Sequence, residues 1–309
     1  MRVIFLIFTV IGAPAQPLVD YHQHLFHPSD TGLAPDTGTV TASELVAYLD
    51  DAGIRRALVL SVAYQFANPN RPAVEDEYTK VRAENDWTSR QVARFPDRLR
   101  GFCGFNPLRD YALQELARCA QDPQLRYGVK MHFGNSDVDM DNPEHVKRLR
   151  QVFREADRRR MAIVVHMRSS VTRERPYGAK EARVFVQEVL PAAPHVPVQI
   201  AHLSGAGGYD DPAIDQALGV FIDAIAKHDQ RMKHVYFDIS GIAGIGQWKE
   251  KGELIAARVR QLGFARVLYG SDGAIPGNSP REYWTRFRQL PFSEAEFKSI
   301  EGNIAPYMK

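Results

Sequence analysis

A chain of 309 residues is long enough to bury a full core without disulfide or metal staples, as one large domain or two ordinary ones. Its 44% hydrophobic and 25% charged residues describe a soluble globular protein, and a formal charge of +2 with no long basic run argues against a nucleic-acid partner. The one arginine cluster, Arg158-Arg159-Arg160, closes a predicted helix, where cations offset the helix dipole.

In chain order, Arg2 is followed by ten mostly apolar residues and then Ala13-Pro14-Ala15. A basic start, a short apolar stretch and an A-x-A site predict a secretory signal peptide over residues 1–15, with the domain running over 16–309 and the protein exported to a periplasm or the exterior. The rival reading is a buried first strand in a protein that stays in the cytoplasm. The apolar run falls short of the roughly 20 residues of a stable membrane span.

Strand-like runs rich in Val, Ile, Leu and aromatics then appear at 18–24, 56–62, 99–105, 127–133, 162–166, 196–202, 235–239 and 267–269. Helical patterns alternate with them. Thr41-Ala-Ser-Glu44 reads as a capping box and Gly53 as the stop of the first helix, and Pro96 ends the second. Further helices are predicted over 108–120, 143–160, 179–190, 212–229, 249–262 and 280–289, with one more helix and a tail over 293–307. Eight strand–helix units predict an α/β fold, a (β/α)8 TIM-type barrel. An open doubly wound sheet is the alternative, although no glycine-rich phosphate loop follows the first strand. The stretch 64–76, with Asn68-Pro-Asn-Arg-Pro72, has loop composition and would lie over the active face. Cys103 and Cys119 have no special spacing and read as two buried thiols.

The chemistry begins at Asp20-Tyr-His-Gln-His24. Alternate strand residues share a face, so His22 and His24 project together, a geometry suited to one divalent cation, with Asp20 pointing the same way as a hydrogen-bonding partner. Alone, this pair is a weak signal. Lys130, His166, His202 and Asp238 recur at intervals of 36 residues, however, and Asp272 follows 34 later. That interval is about one strand–helix unit, so these residues fall near the carboxyl ends of successive strands, where barrel active sites are built. Burying them together implies mutual pairing or a metal.

These residues carry a resemblance to the amidohydrolase superfamily, specifically to the amidohydrolase-related group that includes aminocarboxymuconate-semialdehyde decarboxylase. The matching segments are Asp20-Tyr-His-Gln-His24, Gly128-Val-Lys-Met-His132, Val164-Val-His166, Ala201-His-Leu203, Asp238-Ile-Ser-Gly241, Gly270-Ser-Asp272 and Gly302-Asn-Ile-Ala305. The resemblance implies that His22, His24, His166 and Asp272 hold one divalent ion, with zinc the favoured metal. It also implies that His202 and Asp272 are catalytic, with Asp272 taking a proton from water. Lys130 is either a ligand for a substrate carboxylate or, carbamylated, the bridge between two metals; the single metal is favoured.

Arg168 and His132 are lesser candidates for substrate binding, and a salt bridge is an equal reading for Arg168. His27 lies just past the first strand, as a rim residue or a solvated loop histidine. His145, His195, His228 and His234 read as structural, and Gly205-Ala-Gly-Gly208 as a flexible loop. The leading expectation is hydrolysis of an amide, ester or lactone of a small molecule, a carboxylate among the candidates. The alternative within enzymes is non-oxidative decarboxylation of an unsaturated or aromatic acid. From another class comes a catalytically inactive metal-binding barrel acting as a sensor or scaffold. An oligomer is compatible with the sequence, which does not fix its order.

Overall fold

The structure is a computed structural model that describes residues 16–27, 38–168, 175–274 and 277–309. The predicted leader over 1–15 lies outside the described residues.

Eight strands form one parallel sheet in chain order: β1 (Val19–Gln23), β2 (Arg56–Leu60), β3 (Leu99–Gly104), β4 (Gly128–His132), β5 (Ala162–His166), β6 (Val198–Ile200), β7 (Val235–Asp238) and β8 (Val267–Leu268). The two ends of that order meet. Tyr21 N–H donates to the Tyr269 carbonyl at 2.8 Å and Asp272 N–H to the His22 carbonyl at 2.9 Å, so the chain beyond β8 closes onto β1. The fold is a (β/α)8 TIM barrel, as the strand–helix alternation predicts.

The helices are α1 (Ala42–Ala52), α2 (Glu77–Ala93), α3 (Ala112–Cys119), α4 (Pro143–Arg158), α5 (Ala179–Val184), α6 (Pro212–Ala226), α7 (Gly252–Leu262), α8 (Pro280–Phe287) and α9 (Glu294–Glu301). Local chemistry sets their ends. Thr41 and Glu44 form the expected reciprocal cap of α1, and Gly53 stops it in the left-handed region at φ 72°. Asn142 and Asp211 cap α4 and α6 ahead of a proline in the first turn. The α5 helix is shorter than its pattern predicts. It widens into a π turn at Phe185–Val189 and ends in a 3-10 turn whose Pro191 has no N–H to extend the ladder.

Two apolar cores result. The larger lies between the strands and the helical layer. The smaller fills the barrel, where Tyr21, Leu58, Leu60, Phe102, Val164 and Leu268 pack with Tyr307 and Met308 of the final 3-10 turn. That turn plugs the amino-terminal end of the barrel, with Arg56 and Arg100 donating to the Met308 and Tyr307 carbonyls. Among the described residues, no helix is long and apolar enough to cross a membrane.

Two expectations are corrected. Cys103 and Cys119 are not thiols but a disulfide, with Cα atoms 6.2 Å apart. A strand and its following crossover helix pack face to face, which brings the end of α3 onto β3 across a separation of 16 residues. Second, β6 stops at Ile200 and does not run to 202. His202, Leu203 and Ser204 take φ values of 54°, 48° and 71°, turning the chain into a left-handed hook.

Candidate metal centre on the active face

The carboxyl ends of the strands gather the predicted residues. His22 projects inward from β1, 1% exposed, and its Nδ1 lies 3.1 Å from Asp238 Oδ2 on β7. Asp238 is fully buried and also accepts from Gln199 Nε2 at 2.6 Å and from the His202 N–H at 3.0 Å. Burial works to raise its pKa, but the His22 and His202 imidazoles and the Ser240 hydroxyl reverse this and hold it well below the ordinary carboxylate range. It is therefore ionised, and His22 donates to it from Nδ1, leaving the Nε2 lone pair free to face the site.

Two more imidazoles are pinned in the same sense. His24 Nδ1 lies 2.7 Å from the Leu60 carbonyl, and His202 Nδ1 lies 2.9 Å from the Ser240 carbonyl. A carbonyl accepts only, so each ring carries its proton on Nδ1 and turns an unprotonated Nε2 elsewhere. That direction is common to all three. The Nε2 atoms of His22, His24 and His202 lie 3.7, 3.6 and 3.9 Å from the Asp272 carboxylate. Burial lowers the pKa of His24 to about 3 and lowers those of His166 and His202, so these rings are neutral. On Asp272 burial again acts to raise the pKa, while His22, His202, His24 and Lys130 together bring it below the ordinary value.

Ligand atoms of His22, His202 and Asp272 all lie within 4.8 Å of one another. Imidazoles pinned through Nδ1, with Nε2 turned toward an ionised carboxylate, form a donor set suited to a divalent cation. His166 stands further out. Its ring stacks on His132 at 3.7 Å and lies 4.9 Å from the ring of His202. Lys130 is fully buried, with Nζ 3.3 Å from His22 Nε2. Burial lowers its pKa to about 8, against the fields of Asp238 and Asp272, which raise it.

Other expected roles move. Asp20 does not support a histidine ring. It accepts from the backbone N–H groups of His22 and Ser271, each at 3.1 Å, and from the Gln23 amide and the Ser271 hydroxyl, so it ties β1 to the segment carrying Asp272. Burial pushes its carboxyl up to about 6 despite these bonds. Arg168 is engaged in an ion pair with Asp211 and lies over the Tyr177 ring at 5.1 Å, so the salt-bridge reading holds. His132 accepts from Asn135 N–H at 3.0 Å. His27 packs on Trp87 at 4.9 Å. His195 pairs with Asp157 at 2.8 Å, and His145 accepts from Asp139 N–H at 3.1 Å, both structural as expected. Gly208 N–H bonds the Gly241 carbonyl at 2.7 Å, which fixes the glycine run against the loop after β7.

Residues 19–303 match the family model described as Amidohydrolase. The chain belongs to the amidohydrolase family. Among solved structures, this amidohydrolase is similar to 5-carboxyvanillate decarboxylase from Sphingomonas paucimobilis, at 16% identity and a TM-score of 0.64, over 93% of this chain and 97% of that one. It is similar to a probable 2-pyrone-4,6-dicarboxylic acid hydrolase from Acinetobacter baumannii with citric acid bound, at 17% identity and a TM-score of 0.59, over 92% and 95%. A third similarity is to a dihydroxybenzoic acid decarboxylase from Polaromonas sp. JS666 with bound manganese and the inhibitor 2-nitroresorcinol, at 16% identity and a TM-score of 0.55, over 93% and 94%. At such identities the likeness speaks for the fold alone. No curated protein matches the chain.

The amidohydrolase site also holds residues that strand-end reasoning missed. Tyr64, buried in the 3-10 turn Ala63–Ala67 after β2, sets its ring 5.3 Å from His132 and extends an aromatic wall through His132 to His166. Ser240 places its hydroxyl 3.1 Å from His22 Nδ1 and 2.9 Å from His202 Nδ1. The sequence signal for Ser240 was its place two residues after Asp238, and for Tyr64 its place at the start of the stretch 64–76 expected over the active face.

Proposed function

We propose that this amidohydrolase is a metal-dependent enzyme that removes carbon dioxide from a small aromatic or unsaturated carboxylic acid without oxidation. The observation that carries metal dependence is the common aim of three pinned Nε2 lone pairs at Asp272. His22, His24, His166 and Asp272 would hold one divalent cation, zinc or manganese, with His202 alongside. A bound cation would supply Lewis acidity toward an oxygen of the substrate.

The chain's own residues supply the rest. Lys130, buried with its charge opposed only at a distance, offers an ammonium to the substrate carboxylate. The Tyr64–His132–His166 wall offers ring faces to a planar acid. Loss of carbon dioxide leaves an electron pair on carbon that must take one proton. Asp272, ionised, 32% exposed and 3.9 Å from His202 Nε2, is placed to take that proton from solvent water and pass it to the carbon. The decarboxylases among the similar folds support this reading.

Hydrolysis of a lactone, amide or ester is the second reading. It is favoured by the buried disulfide, which fits an oxidising compartment and so the export that the residues 1–15 predict, where a secreted hydrolase is the commoner tenant. The intact donor set speaks against an inert scaffold. The test is metal analysis of protein purified without added ions, joined to assays on hydroxybenzoates, unsaturated acids and lactones. One metal per chain with carbon dioxide release is the expected result. Lactone opening without carbon dioxide release would replace decarboxylation with hydrolysis, and full activity in metal-free protein would overturn both. Fractionation of cells and amino-terminal sequencing of the mature chain test export and cleavage after residue 15.

A further inference from the structure

A cavity of about 260 Å³ opens on the active face between the loops after β7 and β8. It is a little below the roughly 300–1,000 Å³ of drug-sized pockets, which suits a small acid. Asp272 lines it, and so do Gly244, Asn278, Tyr283 and Arg286, the last two on α8.

Arg286 shares with Arg56 and Arg266, also half-buried, a guanidinium held by neutral acceptors, and its buried Nε sets it apart from them. Arg118, Arg175 and Arg258, also half-buried, are each held by carboxylates. Arg286 has no carboxylate within ion-pair distance among the described residues. Its Nη1 donates to the Gly277 carbonyl at 3.2 Å and its Nη2 to Asn278 Oδ1 at 2.5 Å, both neutral acceptors. Its Nε is buried with no acceptor at all. The nearest acid on its helix, Glu282, is committed to capping α8 through the Ser279 N–H at 2.8 Å. A guanidinium has five N–H donors and cannot shed its charge; beyond two neutral acceptors and the Tyr283 ring 5.9 Å away, this one has donors left to satisfy.

The backbone makes room for the pair. Gly244 sits at φ 113°, and a Cβ there would stand 2.6 Å from Arg286 Nε; a Cβ at Gly273 would stand 2.2 Å from Asn278 Nδ2. Tyr283 fixes the cavity wall by accepting the Ile242 N–H at 3.0 Å and the Ala243 N–H at 3.3 Å.

We propose that Arg286, with Asn278, forms an anion subsite for a second carboxylate of the substrate, so that the enzyme acts on a dicarboxylic acid. This rests on the reading of the Asp272 face as the substrate site. On this proposal Lys130 inside the barrel would take the reacting carboxylate, and Arg286, which lines the cavity together with Asp272, would hold the one that stays. Orientation follows from the difference between the two cations, an ammonium being a point charge and a guanidinium a planar fork.

The test is calorimetric binding of benzoate and the three benzenedicarboxylates to the protein as purified, independent of turnover. At least one dicarboxylate is expected to bind tenfold or more tightly than benzoate. Arg286→Gln should abolish that preference and leave benzoate within twofold, and Arg286→Lys should restore part of it. Asn278→Asp, which sets a carboxylate beside the guanidinium and fills the subsite from within, should abolish it in a fold whose circular dichroism is unchanged. No preference in the wild type, an unchanged preference in both Arg286→Gln and Asn278→Asp, or equal losses for benzoate and dicarboxylate would overturn the subsite. Absence of carbon dioxide release with an intact Arg286-dependent preference would overturn decarboxylation alone.

Discussion

The two ends of the barrel are differently made. At the amino-terminal end Tyr21, Phe102, Tyr307 and Met308 close the ring of strands with apolar surface and satisfied hydroxyls. At the carboxyl end the same strands bury His22, Lys130, His166 and Asp238, with Asp272 at the opening. Burying ionisable groups is unfavourable unless they pair or bind something. The first end is explained by stability. The second is only half explained by it, since Asp238 is fully bonded while the Lys130 amine rests on the His22 ring and the Nε2 atoms of His24 and His202 turn toward Asp272 at 3.6 and 3.9 Å.

Substitutions at the two ends should therefore separate activity from stability. The largest effect is expected for Asp272→Asn, which removes the proposed proton carrier and metal donor: kcat should fall roughly a thousandfold, with thermal unfolding close to that of the wild type. A fall of less than tenfold would remove Asp272 from the chemistry. Tyr307→Ala is the converse. It empties the plug and should cost about 3–5 kcal/mol in denaturant unfolding while kcat stays within a few-fold; if activity falls in proportion to burial lost, the two ends are coupled.

The eight strands were legible because doubly buried parallel strands read as apolar runs, and His22 and His24 because a strand alternates. The site was legible only as a register. Chain spacing placed Lys130, His166 and Asp238 at strand ends, yet it carried no word of ring orientation, so Asp20 was assigned the supporting role that Asp238 fills. Nor does spacing report the hook at His202, which is a matter of φ. Arg286 and Asn278 sit beyond the last strand, outside any strand-end register. The disulfide was missed because pairing depends on how α3 rotates onto β3.

That disulfide sharpens the comparison from the side wall. Closing a loop of this length is worth about 3 kcal/mol, so Cys103→Ser with Cys119→Ser should lower stability by that order and leave kcat near its value. An unchanged midpoint in reductant would mean the bond contributes nothing. A smaller effect is expected at Glu84 on α2, 3% exposed, with Oε1 unpartnered and its carboxyl pushed up to about 7 by burial. The folded chain keeps this proton while the unfolded one releases it near the ordinary 4.5. Stability therefore declines as pH rises from about 4.5 to about 7. Glu84→Gln should raise stability by about 2–3 kcal/mol at pH 8 and do nothing at pH 4; equal effects at both would refute the assignment.

The smallest expected effect is at the hook. Three side-chain-bearing residues in the left-handed region carry strain of about 1 kcal/mol each, and Ser204 also buries an unpartnered hydroxyl. Ser204→Gly should then stabilise the fold by about 1 kcal/mol, read as a rise in unfolding midpoint. The same change would loosen the neighbour of His202. A lineage under selection for heat resistance and one under selection for turnover would thus pull on a single backbone turn in opposite directions, and the turn records which pressure prevailed.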